Sequence, residues 1–208
     1  CPGNCIYCPG NAASKKTIER ESFYPVKKMV REIAEQIAAD NSIEHVILTG
    51  YGESTLNSDL PHIIDAIRDL TPAQITIKTC GALLWRESVR RDCMPADRVQ
   101  VNIDAADRYV FKKINNYVLQ IPYERYVDGI NRFRQFFKGT FTINVTLLDG
   151  INTDIYHLQK LMSLICSLDP SNVVIRTTNK TDALKKYCVD MKLLLSFSSS
   201  LGPIASVQ

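Results

Sequence analysis

The chain has 208 residues, enough for one domain of ordinary size and short of two. Hydrophobic residues make up 45% and charged residues 23%, the balance of a globular protein, which excludes a disordered or fibrous chain. The net charge of +3 neither requires a nucleic-acid partner nor excludes one. No apolar run approaches the roughly 20 residues of a membrane span, so composition predicts a soluble, cytoplasmic domain with no membrane partner.

Taken in chain order, residues 11–24 show no period and read as a mobile loop. Val26, Val30, Ile33 and Ile37 recur at helical spacing after Pro25, which suits a first helical turn, and predict a helix to about Ala39. His45 to Leu48 is a short apolar run ended by Thr49-Gly50, a strand. Leu60 to Leu70 reads as a helix, Gln74 to Thr79 as a strand and Trp85 to Arg91 as a short helix. A strand over Arg98 to Ile103, a short helix over Asp107 to Lys113 and a longer one over Tyr123 to Phe137 follow, with Gly139 as its stop. Phe141 to Leu148 is a strand, Asp154 to Leu168 a helix capped by Asn152 or Thr153, and Val173 to Arg176 a strand. Met191 to Phe197 fits strand or helix, and Ser198 to Ser200 reads as a frayed tail. Five strands alternating with helices imply right-handed crossovers and a parallel sheet, either doubly wound or curled as a barrel. Either form puts functional residues at the carboxyl ends of the strands.

Seven cysteines stand at positions 1, 5, 8, 80, 93, 166 and 188. The odd count, with three thiols in eight residues, argues for reduced thiols rather than a disulfide framework. The sequence opens on Cys1 rather than Met, inside its most unusual motif, and reads as a piece of a longer chain. Cys1-Pro-Gly-Asn-Cys5-Ile-Tyr-Cys8 has the spacing C-x3-C-x2-C. Three thiolates on a short irregular loop can converge on one soft metal centre, which would deprotonate them. A structural zinc normally takes four ligands, and no fourth cysteine or histidine lies near. A 4Fe-4S cluster with three protein ligands leaves one iron open. Chance clustering and zinc with a distant fourth ligand are the alternatives.

Further motifs fall at strand ends. Gly50-Tyr51-Gly52-Glu53 follows the first strand, and its two glycines let a backbone turn and approach a ligand closely. Thr79-Cys80-Gly81 ends the second strand, and Cys80 is as well explained by a buried structural thiol as by a site lining. Asn102 and Asp104 alternate with apolar neighbours and share one face, as does Asn144 in Phe141 to Val145. Asp107 reads as a helix cap. Arg176 closes the last predicted strand.

The C-x3-C-x-aromatic-C motif resembles the signature of the radical S-adenosylmethionine (SAM) enzymes. The Phe111 to Asn116, Tyr123 to Gly139 and Gly150-Ile151-Asn152 segments are similar to a subgroup of iron–sulfur oxidoreductases related to the tRNA wyosine-base synthases, although Asn116 and Tyr117 depart from its arginine and proline. The resemblance implies a 4Fe-4S cluster on Cys1, Cys5 and Cys8, with SAM chelating the open iron and being cleaved reductively to a 5′-deoxyadenosyl radical. It implies that Tyr7 packs near the adenine and that Gly50, Tyr51, Gly52, Glu53, Thr79, Asn102, Asp104, Asn144 and Arg176 contact SAM. The implied fold is a partial (βα)6 TIM-type barrel forming one core domain over residues 1–208. Its first strand would be missing here, residues 1–24 would be the cluster loop and mobile segment, and residues 190–208 a tail of unassigned structure. An electron donor such as flavodoxin or ferredoxin is implied as partner. Lys15, Lys16, Arg20, Lys27 and Lys28 form a basic stretch that would suit an RNA substrate, although such a run is more often a solvated face. The rival readings are a glycyl-radical activase acting on a protein partner and a non-catalytic metal-binding module.

Overall fold

A computed structural model describes residues 1–8, 15–40, 42–50, 52–118, 120–178 and 184–208. The predicted residues Asn11 to Ser14 and Tyr51 lie outside these. Helices and strands alternate as α1 (Val26–Ala39), β1 (His45–Leu48), α2 (Leu60–Leu70), β2 (Gln74–Thr79), α3 (Glu87–Cys93), β3 (Arg98–Asn102), α4 (Arg108–Asn115), α5 (Tyr123–Phe136), β4 (Thr140–Leu147), α6 (Ile155–Ser167), β5 (Asn172–Thr177), α7 (Met191–Leu201) and β6 (Ala205–Val207). All six strands are parallel, in the order β1-β2-β3-β4-β5-β6.

That order decides between the two architectures left open by the alternation of elements. Strands added always on the same side, each by a right-handed crossover, place every connecting helix on one face of the sheet. A doubly wound sheet needs a reversal of strand order, and none occurs here. The burial pattern agrees. Ile75 and Ile77 of β2, Val99 and Val101 of β3, Phe141, Ile143 and Val145 of β4, and Val173 and Ile175 of β5 are fully buried. They share the core with Ile64, Ile67, Ile130, Phe133 and Leu161 of the helices. The alternate residues Lys78, Gln100, Asn102, Asn144 and Arg176 are polar and belong to the opposite, inner face. The result is an open, partial TIM-type barrel with one apolar face and one polar face.

Several details differ from the sequence expectation. The sheet has a sixth strand, β6, which pairs with β5 at the far edge. Met191 to Phe197 is helical, within α7, and the three serines continue that helix rather than fraying. The tail therefore extends the sheet beyond β5, while β1 forms the opposite edge with its outer side unpaired among the described residues. The cap of α6 is Asp154, whose carboxylate accepts from the His157 backbone amide. Asn152 is buried instead, bonding Leu148, Thr146 and Asp104. Gly139 does not take the left-handed conformation of a helix stop. It is glycine because a Cβ there would lie 2.4 Å from the Asp97 carbonyl oxygen. The segment Lys15–Tyr24 is anchored rather than loose: Arg20 pairs with Asp92 at 2.7 Å and donates to the carbonyls of Thr55 and Asn57 at 2.9 Å. Among the described residues no helix is long and apolar enough to cross a membrane.

Candidate functional site

The cysteine loop has no regular structure of its own and borrows order from the end of α4. The amides of Asn4 and Ile6 donate to the carbonyls of Asn115 and Ile114, both at 2.9 Å, and the Val118 amide donates to the Pro2 carbonyl at 3.0 Å. Asn116, with φ of 42°, takes the left-handed conformation that Asn tolerates better than most residues, and so turns the chain between these contacts. Gly3 faces the Tyr117 ring so closely that a Cβ would lie 2.3 Å from it. Lys16 donates its ammonium to the Gly3 carbonyl, and the Thr17 amide donates to that of Cys1 at 3.2 Å.

Within the loop, the Cys8 amide closes a turn onto the Cys5 carbonyl at 3.0 Å. The Cys5 sulfur receives the Asn115 side-chain amide at 3.6 Å. Burial pushes the Cys5 thiol up to about 11, and the Asn115 bond acts against that rise. A bound soft metal centre would supply the positive charge that favours the thiolate at this position. Cys1 is half-buried and Cys8 exposed. Among the described residues no three Cys, His, Asp or Glu side chains are gathered into a group that could hold a metal. The three thiols share one loop without converging on one point. The donor set fits an iron–sulfur cluster in kind and spacing. Cys93 is buried in the core, and Cys166 and Cys188 lie in or before helices remote in sequence from the loop.

Beside the loop, at the carboxyl ends of the strands, a polar cavity of about 380 Å³ opens on the inner face. It gathers seven of the residues predicted to contact SAM: Gly50, Gly52, Glu53, Thr79, Asn102, Asn144 and Arg176. Gly52 joins it to the cysteine loop, since a Cβ there would lie 3.5 Å from that of Cys1. Asn102 and Asn144 are register partners on β3 and β4, and the Asn144 amide donates to the Asn102 side-chain oxygen at 3.4 Å.

Glu53 is almost fully buried and its carboxylate accepts four bonds from protein donors. One oxygen accepts from the Thr55 amide at 3.1 Å, the Thr55 hydroxyl at 2.6 Å and the Thr79 hydroxyl; the other accepts from the Cys80 amide at 2.7 Å. It pins the glycine segment to the end of β2. Tyr7 and Asp104 are not in the cavity lining. The Tyr7 hydroxyl donates to the Asp104 carboxylate at 2.6 Å, which ties the cysteine loop to the end of β3. Asp104 also accepts from the Thr146 amide at 2.6 Å. Burial holds its carboxyl above the ordinary value, partly offset by the Tyr7 and Thr146 bonds and by the Arg176 guanidinium.

Sequence reasoning missed Lys78, Gln100 and Gln208, which also line the cavity, and left Cys80 undecided; it lines the cavity too. The signal for the first two was present. Lys78 and Gln100 alternate with apolar residues just as Asn102 does. Gln208 required knowledge of β6. Within the basic stretch, Arg20 and Lys16 are engaged as described, and Lys28 sits 5.1 Å over the Tyr24 ring.

A sheet wound in one direction thus carries a C-x3-C-x2-C loop and a polar cavity beside the carboxyl ends of its strands. Residues 1–162 match the Radical SAM superfamily, and the chain belongs to that superfamily, whose members are enzymes that bind a 4Fe-4S cluster and SAM. It is 29% identical over 186 residues to a protein named GTPase Obg from Brachyspira hyodysenteriae, covering 89% of this chain and 27% of that protein. It is 27% identical over 209 residues to a UPF0026 protein of Methanocaldococcus jannaschii, covering 97% and 65%. The chain thus spans less than two thirds of either relative. The solved structure of TYW1 with a lysine-pyruvate adduct bound superposes on 99% of this chain and 70% of its own, with a TM-score of 0.74 at 18% identity. That likeness shows a shared fold.

Proposed function

We propose that the chain is the radical-generating core of an enzyme in which Cys1, Cys5 and Cys8 hold the cluster and the polar cavity holds SAM. The observation that carries this reading is the gathering of seven residues from the ends of β1 to β5 into one cavity that touches the cysteine loop through Gly52. When bound, the cluster and SAM supply reductive cleavage of the sulfonium and hydrogen abstraction from a substrate. The chain's own groups bind, orient and shield. Gly50 and Gly52 offer backbone to the SAM amino group. Arg176 has no carboxylate within ion-pair distance among the described residues and offers its guanidinium to the SAM carboxylate. Asn102 and Asn144 offer amides to the ribose hydroxyls. Glu53 and the Tyr7–Asp104 bond are positioning groups that hold the glycine segment and the cysteine loop.

Enzymes of this superfamily need a reductant, and flavodoxin or ferredoxin is proposed for that role. A tRNA base is proposed as substrate on the likeness to TYW1 and the subgroup segments; activation of a protein partner is the rival. All seven cysteines are unpaired, which supports a reducing, cytoplasmic setting. Anaerobic reconstitution tests the reading. About four iron and four sulfide per chain, with SAM bound, are expected. Arg176→Gln should keep the iron and weaken SAM about tenfold, a loss of about 1.4 kcal/mol. Zinc near one per chain without sulfide, or unchanged SAM affinity in the variant, would overturn it.

A further inference from the structure

The inner face of the sheet carries more positive charge than SAM can use. Lys78, Arg98 and Arg176 alternate with buried apolar residues on β2, β3 and β5, and the strand registers place all three on this face. Among the described residues none of the three is within ion-pair distance of a carboxylate. The two carboxylates at the site, Glu53 and Asp104, are already taken by protein donors. SAM brings one carboxylate, enough for Arg176, together with an ammonium and a sulfonium that add positive charge. Lys78 and Arg98 are left without a counter-charge.

Their placement puts both charges on one face of neighbouring strands. Thr76 is the register partner of Arg98 and Lys78 that of Gln100, so Lys78 and Arg98 are diagonal neighbours on one face of adjacent strands. Arg98 is held in place by a neutral group, its Nε donating to the Gln74 side-chain oxygen at 2.9 Å. Gln100 stands beside Lys78 in the cavity lining with a further amide donor. We infer that Lys78, Arg98 and Gln100 form a receptor for an oxyanion of the substrate, a phosphate or a carboxylate. It lies nearer the amino ends of the strands than the SAM residues, and the inference rests on the cavity being the SAM site. Charge-assisted bonds from an ammonium and a guanidinium are the recognition such a group takes.

The test is the reactivity of the Lys78 amine toward an acetylating reagent, read by mass spectrometry on the reconstituted chain with and without SAM, at constant ionic strength. Exposed Lys192 on α7 serves as the internal control. Orthophosphate or succinate at millimolar concentration should slow Lys78 acetylation about fivefold and leave Lys192 unchanged, both before and after SAM is added. Protection by orthophosphate alone assigns a phosphate, by succinate alone a carboxylate, and by both a general oxyanion receptor. Arg98→Gln should abolish the protection. The inference is overturned if neither anion protects, if Lys192 is slowed equally, if SAM alone protects Lys78 fully, or if Arg98→Gln leaves protection intact. Direct SAM binding on the same samples reports separately on the cavity reading, because the anion arm without SAM does not depend on it.

Discussion

At the scale of single residues, two buried polar groups set the terms on which the cysteine loop works. Asn115 is the neutral donor to the Cys5 sulfur, and it is almost fully buried. A hydrogen bond to a cluster thiolate stabilises the reduced, more negative state. Asn115→Leu keeps the branched shape and removes the donor. We expect the cluster to be retained and its reduction potential to fall by about 40 mV, since a net hydrogen bond is worth about 1 kcal/mol and 59 mV is tenfold for one electron. An unchanged potential by anaerobic redox titration would remove Asn115 from this role. Asp104 makes a different prediction. Its folded carboxyl is held above the ordinary 3.8, first by burial, so folding favours the neutral form. The stability this gives is present below about pH 4 and is lost as pH rises through the raised value. Asp104→Asn stays neutral throughout. In urea unfolding of the cluster-free chain, the variant should therefore gain on the parent as pH rises from about 4 to 7. A difference that stays constant with pH would contradict the assignment.

At the scale of elements, close approach of helix to backbone fixes the layer behind the site. Gly129 of α5 faces the Leu84–Trp85 backbone so closely that a Cβ would lie 2.3 Å from the Trp85 amide nitrogen. Backbone cannot rotate aside as a flexible side chain can. Gly129→Ala should therefore push α5 outward and cost about 1–3 kcal/mol in urea unfolding. Elements of this kind were largely legible in the sequence. The apolar periods of α2 and α5, and the short runs of β2 and β3, depend on burial against one face and so leave a pattern. What escaped depends on contacts made elsewhere. Ala205-Ser206-Val207 is too short to show alternation and becomes β6 only by pairing with β5. The serines of α7 looked like a tail because Leu194, Phe197 and Leu201, which bury its face, are spaced among them. Gly139 carried a helix-stop signal in the sequence, but its cause is the Asp97 carbonyl, which no local reading could supply.

At the scale of the whole molecule, the candidate site was legible where chemistry is written in spacing and not where it is written in register. Cys1, Cys5 and Cys8 announce themselves, and Gly50 to Glu53 follows from its place after a strand. Lys78 and Arg98 acquire meaning only when the β2–β3 register sets them diagonally on one face. Their charges are ordinary ones on any strand read alone.

The sheet's two unlike faces also divide the chain's mutational tolerance. Along β2 to β5, odd-numbered residues such as Ile77, Val101 and Phe141 are fully buried, while even-numbered ones such as Lys78, Gln100 and Asn144 line the cavity, with Thr79 at the end of β2 the odd-numbered exception. Phe141→Ala should cost about 3–5 kcal/mol by leaving a void. Gln100→Ala should change stability by no more than about 0.5 kcal/mol. Equal losses in the two variants would refute this division. Where it holds, folding selects on one parity and substrate choice on the other. New specificities can then be sampled on the even positions without spending the fold's reserve, and the same barrel can drift between substrates while its core stands still.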